Sequence, residues 1–203
     1  MADHYYNYDE MSKDLVHNQH YRKKIIERKS GLIVLAIHGG GIEPGTSELA
    51  MAIAGKEHSF YLFEGTGGRN NDLHITSTRF NDPECLSLVA KHSSAVSIHG
   101  FIESENDPQI YMGGCDRLLM NFLLEALNAN GFQSLVNTKK YAATDQNNIC
   151  NRTSSGKGVQ IELSGTFRRQ LFQNYSSRGG RMNVTPEFTR FVQTIRNVLS
   201  QSF

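Results

Sequence analysis

Two histidines and a glutamate carry the strongest chemical signal in this 203-residue chain: His38 and Glu43 in AIHGGGIE, and His99 in SIHG. Hydrolytic zinc sites commonly combine two imidazoles with one carboxylate and keep a fourth position open, and these residues supply that set for one zinc ion. His38 and Glu43 are five positions apart, a spacing that a helix would not bring together. Gly39, Gly40 and Gly41 between them permit the sharp loop that would. Two other readings use the same residues. In one, the glycines only make a turn and each histidine is a hydrogen-bonded residue near a strand end. In the other, glycine amides and the following helix N-terminus cradle an anion, although GGGIEPGTS lacks the G-K-[ST] ending of a phosphate loop and Glu43 would repel phosphate.

Hydrolysis at such a site needs a carboxylate that takes a proton from water and passes it to the leaving group. Glu162, in the otherwise apolar VQIEL run, is the candidate; the competing reading is a strand glutamate turned to solvent. Arginine forks bind carboxylates and oxyanions bidentately, and Arg79, Arg168 and Arg169 lie nearest to these motifs in sequence. His74, in LHITST, is either a substrate contact or a hydrogen-bonded strand histidine.

The elements that must position these groups read as an α/β fold with a mixed, mostly parallel sheet and helices on both faces, because apolar β-branched runs alternate with helical patterns. Residues 32–37 (LIVLAI) form a strand buried on both faces and run directly into His38. A short helix follows, with Ser47 as its cap, Glu48 in its first turn and Gly55 at its end. Residues 60–63 and 73–77 are the next strands, a helix opens at Asp82-Pro83 and runs to about residue 91, and residues 95–98 form another buried strand ending in His99. Apolar positions 119, 122, 123, 126 and 127 mark one face of a helix over 116–130 that Gly131 terminates. Residues 158–163 form a strand with Val159, Ile161 and Leu163 on one face and Gln160 and Glu162 on the other. In the last helix Thr185 caps, Pro186 takes the first position, and Phe188, Phe191, Val192, Ile195 and Leu199 face the core. Ligands of open α/β sheets bind beyond the carboxyl ends of strands, where His38, His99 and Glu162 would all stand.

With 38% hydrophobic and 20% charged residues, the chain has the composition of one globular domain, 1–203. No stretch approaches the length and apolarity of a membrane span, and the N-terminus lacks a Sec signal, so synthesis into the cytoplasm is expected. Cys85, Cys115 and Cys150 are odd in number and scattered, consistent with singly buried thiols rather than a disulfide framework. Net charge is +1, yet residues 137–203 hold 10 Lys+Arg against 3 Asp+Glu, while 1–136 hold 11 against 17. That asymmetry suggests an anionic partner for the C-terminal segment; nucleic acid is not indicated, because the basic pairs are separated and lack interleaved aromatics.

At HGGGIEPGTSELAMAIAG, YLFEG, LHITSTRF, SIHG and QIELSGTFRR, the chain resembles the bacteriophage and Bacillus poly-γ-glutamate hydrolases, small zinc enzymes of carboxypeptidase-like fold; the resemblance spans about residues 21–169. It implies an endo-acting hydrolase of γ-glutamyl amide bonds, with zinc on His38, Glu43 and His99 and the catalytic carboxylate at Glu162. The His–Glu spacing is wider than in carboxypeptidases themselves. A γ-linked polymer bears a free α-carboxylate on every residue, so a basic surface from the C-terminal third suits it. A monomer, released by host lysis to meet the capsule, is the expectation. The alternatives are a zinc amidohydrolase of small γ-glutamyl peptides or N-acyl amino acids, and a non-enzymatic polyanion-binding module.

Overall fold

In the computed structural model, which describes residues 3–104 and 109–203, one continuous sheet organises the chain. Its strands are β1 (Tyr21–Ile26), β2 (Leu32–Gly40), β3 (Ser59–Gly65), β4 (Ser94–Phe101), β5 (Ile110–Gly114), β6 (Ser134–Val136) and β7 (Val159–Ser164), in the order β1-β3-β2-β4-β7-β5-β6. The central β3, β2, β4 and β7 are parallel, β1 joins β3 antiparallel at one edge, and β5 joins β7 antiparallel with β6 parallel beyond it. The mixed, mostly parallel sheet is therefore as the sequence indicates. β1, β5 and β6 carry no such signal. β1 is an edge strand, YRKKII, whose charged side chains stay partly in water and blunt the edge against further pairing.

Helices cover both faces, which is why β2 is apolar at consecutive positions. On one face Leu32, Val34, Ala36, Val96, Ile98 and Ile161 pack against side chains of α2 (Thr46–Ala54), α4 (Arg117–Ala129), α5 (Gly165–Gln170) and α6 (Pro186–Ser202). On the other, Ile33, Leu35 and Ile37 meet α1 (Tyr8–Asp14) and α3 (Pro83–Ala90) through Met11, Leu88 and Val89. In α6 the Thr185 hydroxyl accepts the Phe188 N–H, and all five expected apolar residues are buried. In α4 the core side is Leu119, Leu123 and Leu127, but Phe122 is 47% exposed.

Three local expectations change. Ser47 does not cap α2: the cap is Gly45 in the left-handed region, and the Ser47 hydroxyl instead accepts the Gly40 N–H at 3.1 Å. Residues 73–77 are not a strand; a 3-10 turn, Asn70–Leu73, leads into irregular backbone over the carboxyl end of β2. The groups a ladder would have used are occupied there, Ile75 O by His38, Thr76 N–H by Asp3 and Ser77 O by the Ile149 N–H. All three cysteines are free as expected, but Cys115 is only half-buried.

Candidate metal centre and active-site cleft

β4 and β7 deliver two of the groups through regular pairing. His99 and Glu162 are direct partners in the parallel register, so both side chains leave the same face. Two residues back on each strand, and hence on that face, stands the group that holds each one. Ser97 Oγ is 2.8 Å from His99 Nε2, and Gln160 Nε2 donates to Glu162 Oε1 at 2.8 Å. Gln160 is in turn fixed by the Asn148 amide at 2.9 Å.

β2 delivers its groups by deforming. Strict alternation from Val34 and Ala36 would aim His38 toward α2, but the pairing with β3 slips between Ala36 and Gly39, and such irregularities re-aim side chains. The His38 ring lies on the other side, stacked on His74 at 4.1 Å, with Nε2 donating to Ile75 O at 2.9 Å. Gly40 then adopts φ +67, and a Cβ there would overlap Gly65 O. The Glu43 N–H closes the loop on His38 O at 2.8 Å. This brings Glu43 Oε1 to 3.1 Å from His38 Nδ1, while Oε2 accepts the Gly100 N–H at 2.7 Å.

The expected trio thus converges: His99 Nδ1 is 3.1 Å from His38 Nδ1 and 3.8 Å from Glu43 Oε2. His74 joins them, with Nε2 3.7 Å from Glu43 Oε1, so His38, Glu43 and His74 also form a group of ligand-capable atoms. Its Nδ1 faces Asp3 Oδ1 at 2.7 Å; Asp3 also accepts the Thr76 N–H at 2.9 Å and pairs with Arg79.

The donor chemistry fits a cation. His38 gives its Nε2–H to a carbonyl and His74 its Nδ1–H to a carboxylate, so the nitrogen each turns inward carries a lone pair in the neutral ring. With the His99 Nε2–H turned to Ser97 Oγ, its Nδ1 and the Glu43 carboxylate complete a set of inward-facing acceptors suited to a metal ion. Imidazole nitrogens with one carboxylate are what zinc takes. Of the three histidines and Glu43, His38 is the one whose affinity for a proton is raised. Burial pulls the His38 imidazolium down, but the charge and hydrogen bond of Glu43 outweigh it and the net shift is upward. Burial would raise Glu43, yet His38, His99 and His74 hold it below the usual carboxylate range. Burial and the neighbouring His38 push His99 down to about 3 and also lower His74. Glu162 is raised by burial and by the Glu43 charge.

These groups line a cavity of about 590 Å³, with Lys139 and Arg168 also in its wall. A larger hollow of about 1020 Å³ between α4 and α6 lies elsewhere, lined by Phe122, Arg190 and Gln193 among others. Of the arginines singled out, only Arg168 reaches the cavity. Arg79 stands behind His74, bound to Asp3, and Arg169 pairs with Glu103 at 3.2 Å. Asp3 carries no local signal, because its role depends on meeting a residue 71 positions away. Lys139 shows in the sequence only as half of a basic pair.

Fold and site together define an α/β protein on a mostly parallel sheet, with a cluster of metal-capable side chains at the carboxyl ends of its strands. The chain belongs to the poly-gamma-glutamate hydrolase family, whose model matches residues 5–194. It is 38% identical to the UPF0714 protein YndL of Bacillus subtilis (strain 168), over 99% of this chain and 79% of that protein. A solved bacteriophage poly-gamma-glutamate hydrolase superposes with a TM-score of 0.93 at 35% identity, covering 99% of this chain and 98% of the other. A structure of YNDL in its apo, zinc-free form superposes with a TM-score of 0.92 at 37% identity, covering 100% of both chains.

Proposed function

We propose that this protein is a zinc-dependent endo-hydrolase of the γ-glutamyl amide bonds of poly-γ-glutamate, with His38, Glu43 and His99 holding one zinc ion and Glu162 as the catalytic carboxylate. The observation that carries the reading is the convergence of His38 Nδ1, His99 Nδ1 and Glu43 within 3.1–3.8 Å of one another, with Glu162 paired directly opposite His99. Zinc bound there supplies Lewis acidity toward the scissile carbonyl and lowers the pKa of water. The remaining work falls to the chain. Glu162, buried and held by Gln160, has a carboxyl whose affinity for a proton is raised, which suits a group that accepts a proton and hands it to the departing nitrogen. Lys139 at the cavity wall offers positive charge to substrate α-carboxylates, in keeping with the basic balance of residues 137–203.

His74 competes with His99 for the third ligand position, since its Nε2 also faces Glu43. Four protein ligands would close the site, whereas hydrolysis needs an open position, so His74 is assigned to the substrate side, next to the metal. Elemental analysis of the purified protein should give one zinc per chain, retained in His74→Ala and lost in His99→Ala. Sizing the products from long poly-γ-glutamate should show a rapid fall in mean length. Release of single residues only, or action confined to short γ-glutamyl peptides, would overturn the endo reading, and full cleavage after zinc removal would overturn the metal reading.

A further inference from the structure

Arg168 stands where the segments carrying Glu43, His99 and Glu162 meet. It is 6% exposed and lies in α5, which follows directly from β7 and is capped by Ser164. Its Nη1 donates to Pro44 O at 2.9 Å and to the Tyr175 hydroxyl at 2.8 Å; Nε donates to Leu163 O at 3.3 Å and Nη2 to Phe101 O at 3.5 Å. Pro44 follows Glu43, Leu163 follows Glu162, and Phe101 is two residues beyond His99. The Tyr175 hydroxyl donates to the same Pro44 carbonyl at 2.9 Å. Gly100 gives an independent sign of the same clamp. Its N–H holds Glu43 Oε2 at 2.7 Å, while a Cβ on its other side would overlap the Arg168 guanidinium. A side chain at position 100 would have to displace the Arg168 guanidinium from this place.

A guanidinium has five N–H groups: the two on Nη1 are held at 2.9 and 2.8 Å, and Nε and one on Nη2 face carbonyls at the longer distances of 3.3 and 3.5 Å. Bidentate capture of a substrate carboxylate needs two in parallel, and among the described residues one is left without a partner. We propose that Arg168 is a positioning residue rather than a substrate anchor: a buried fork that fixes the Glu43 loop against the ends of β4 and β7. Lysine cannot replace it, because one ammonium does not span carbonyls on three separate segments.

The inference rests on the zinc reading for one of its two readouts. Wild type, Arg168→Lys, Arg168→Met and Tyr175→Phe are compared by zinc affinity, in competition with a chromophoric chelator, and by kcat and KM on poly-γ-glutamate. Expected are zinc affinities reduced about 10- to 100-fold in both Arg168 variants and about 5-fold in Tyr175→Phe. kcat should fall with KM nearly unchanged, and lysine should give no rescue. Unchanged zinc affinity with a raised KM, restored by lysine, would overturn the proposal and make Arg168 a substrate anchor. Should the Arg168 variants not fold, Tyr175→Phe decides alone. Wild-type protein that takes up no zinc overturns the metal reading instead, and Arg168 is then judged on the kcat and KM split.

Discussion

The carboxyl end of β2 and the paired ends of β4 and β7 feed one site by opposite means. β4 and β7 stay regular: His99 and Glu162 face each other in register, each held by the residue two positions back. β2 breaks its register, turns through Gly40 at positive φ, and depends on Ser47, Ile75 O and the Gly100 N–H to hold what it carries. A regular ladder fixes a side chain through hydrogen bonds the sheet makes anyway, whereas a bent strand end needs dedicated partners and glycines. The group assigned to proton transfer and one proposed ligand stand on the regular side, and the proposed ligand pair spaced five apart stands on the bent one.

The largest expected effect separates chemistry from assembly. Glu162→Gln should lower turnover by about 10²- to 10⁴-fold while zinc content and melting temperature stay near wild type, since burial already favours the neutral form. Retained turnover would remove Glu162 from the mechanism. Gly40→Ala should come next: left-handed strain and overlap with Gly65 O should cost about 1–3 kcal/mol in chemical denaturation and weaken zinc binding as well. A stable variant with normal zinc affinity would show that the β2 loop is not under this constraint. On the regular side, Ser97→Ala removes only the partner of His99 Nε2, and zinc affinity should fall by about 10-fold with little change in stability.

The smallest effect is a pair of opposed pH slopes in the zinc-free protein. His38 is raised above its ordinary 6.5, so its contribution to stability is full below pH 6.5 and lost as pH rises through the raised value. His99 is lowered to about 3, so its contribution is present above pH 6.5 and lost as pH falls toward 3. Melting temperature against pH, in chelator, should therefore lose its alkaline decline in His38→Ala and part of its acid decline in His99→Ala. The same slope change in both variants would show that the two ends do not differ electrostatically.

Much of this was legible in the sequence because it is local. Continuous apolarity in LIVLAI, alternation in GVQIEL and the capped periodicity of α6 each record which side chains the element itself turns to the core. Residues 73–77 misled because β-branched alternation records apolar contact and not ladder pairing, and the backbone there is spent on His38 and Asp3. Edge strands β1 and β6 went unseen because partial exposure blurs their alternation.

By itself the sequence determined the candidate donors, the glycine loop between two of them and the strands that end in them, because spacing and residue type are local properties. Only the tertiary structure decided that Asp3 closes behind His74, that Arg79 and Arg169 lie outside the cavity wall, and that Arg168 binds the carbonyls of three segments. Those outcomes depend on distant parts of the chain meeting at the end of a sheet, and no residue type or short-range spacing encodes such a meeting.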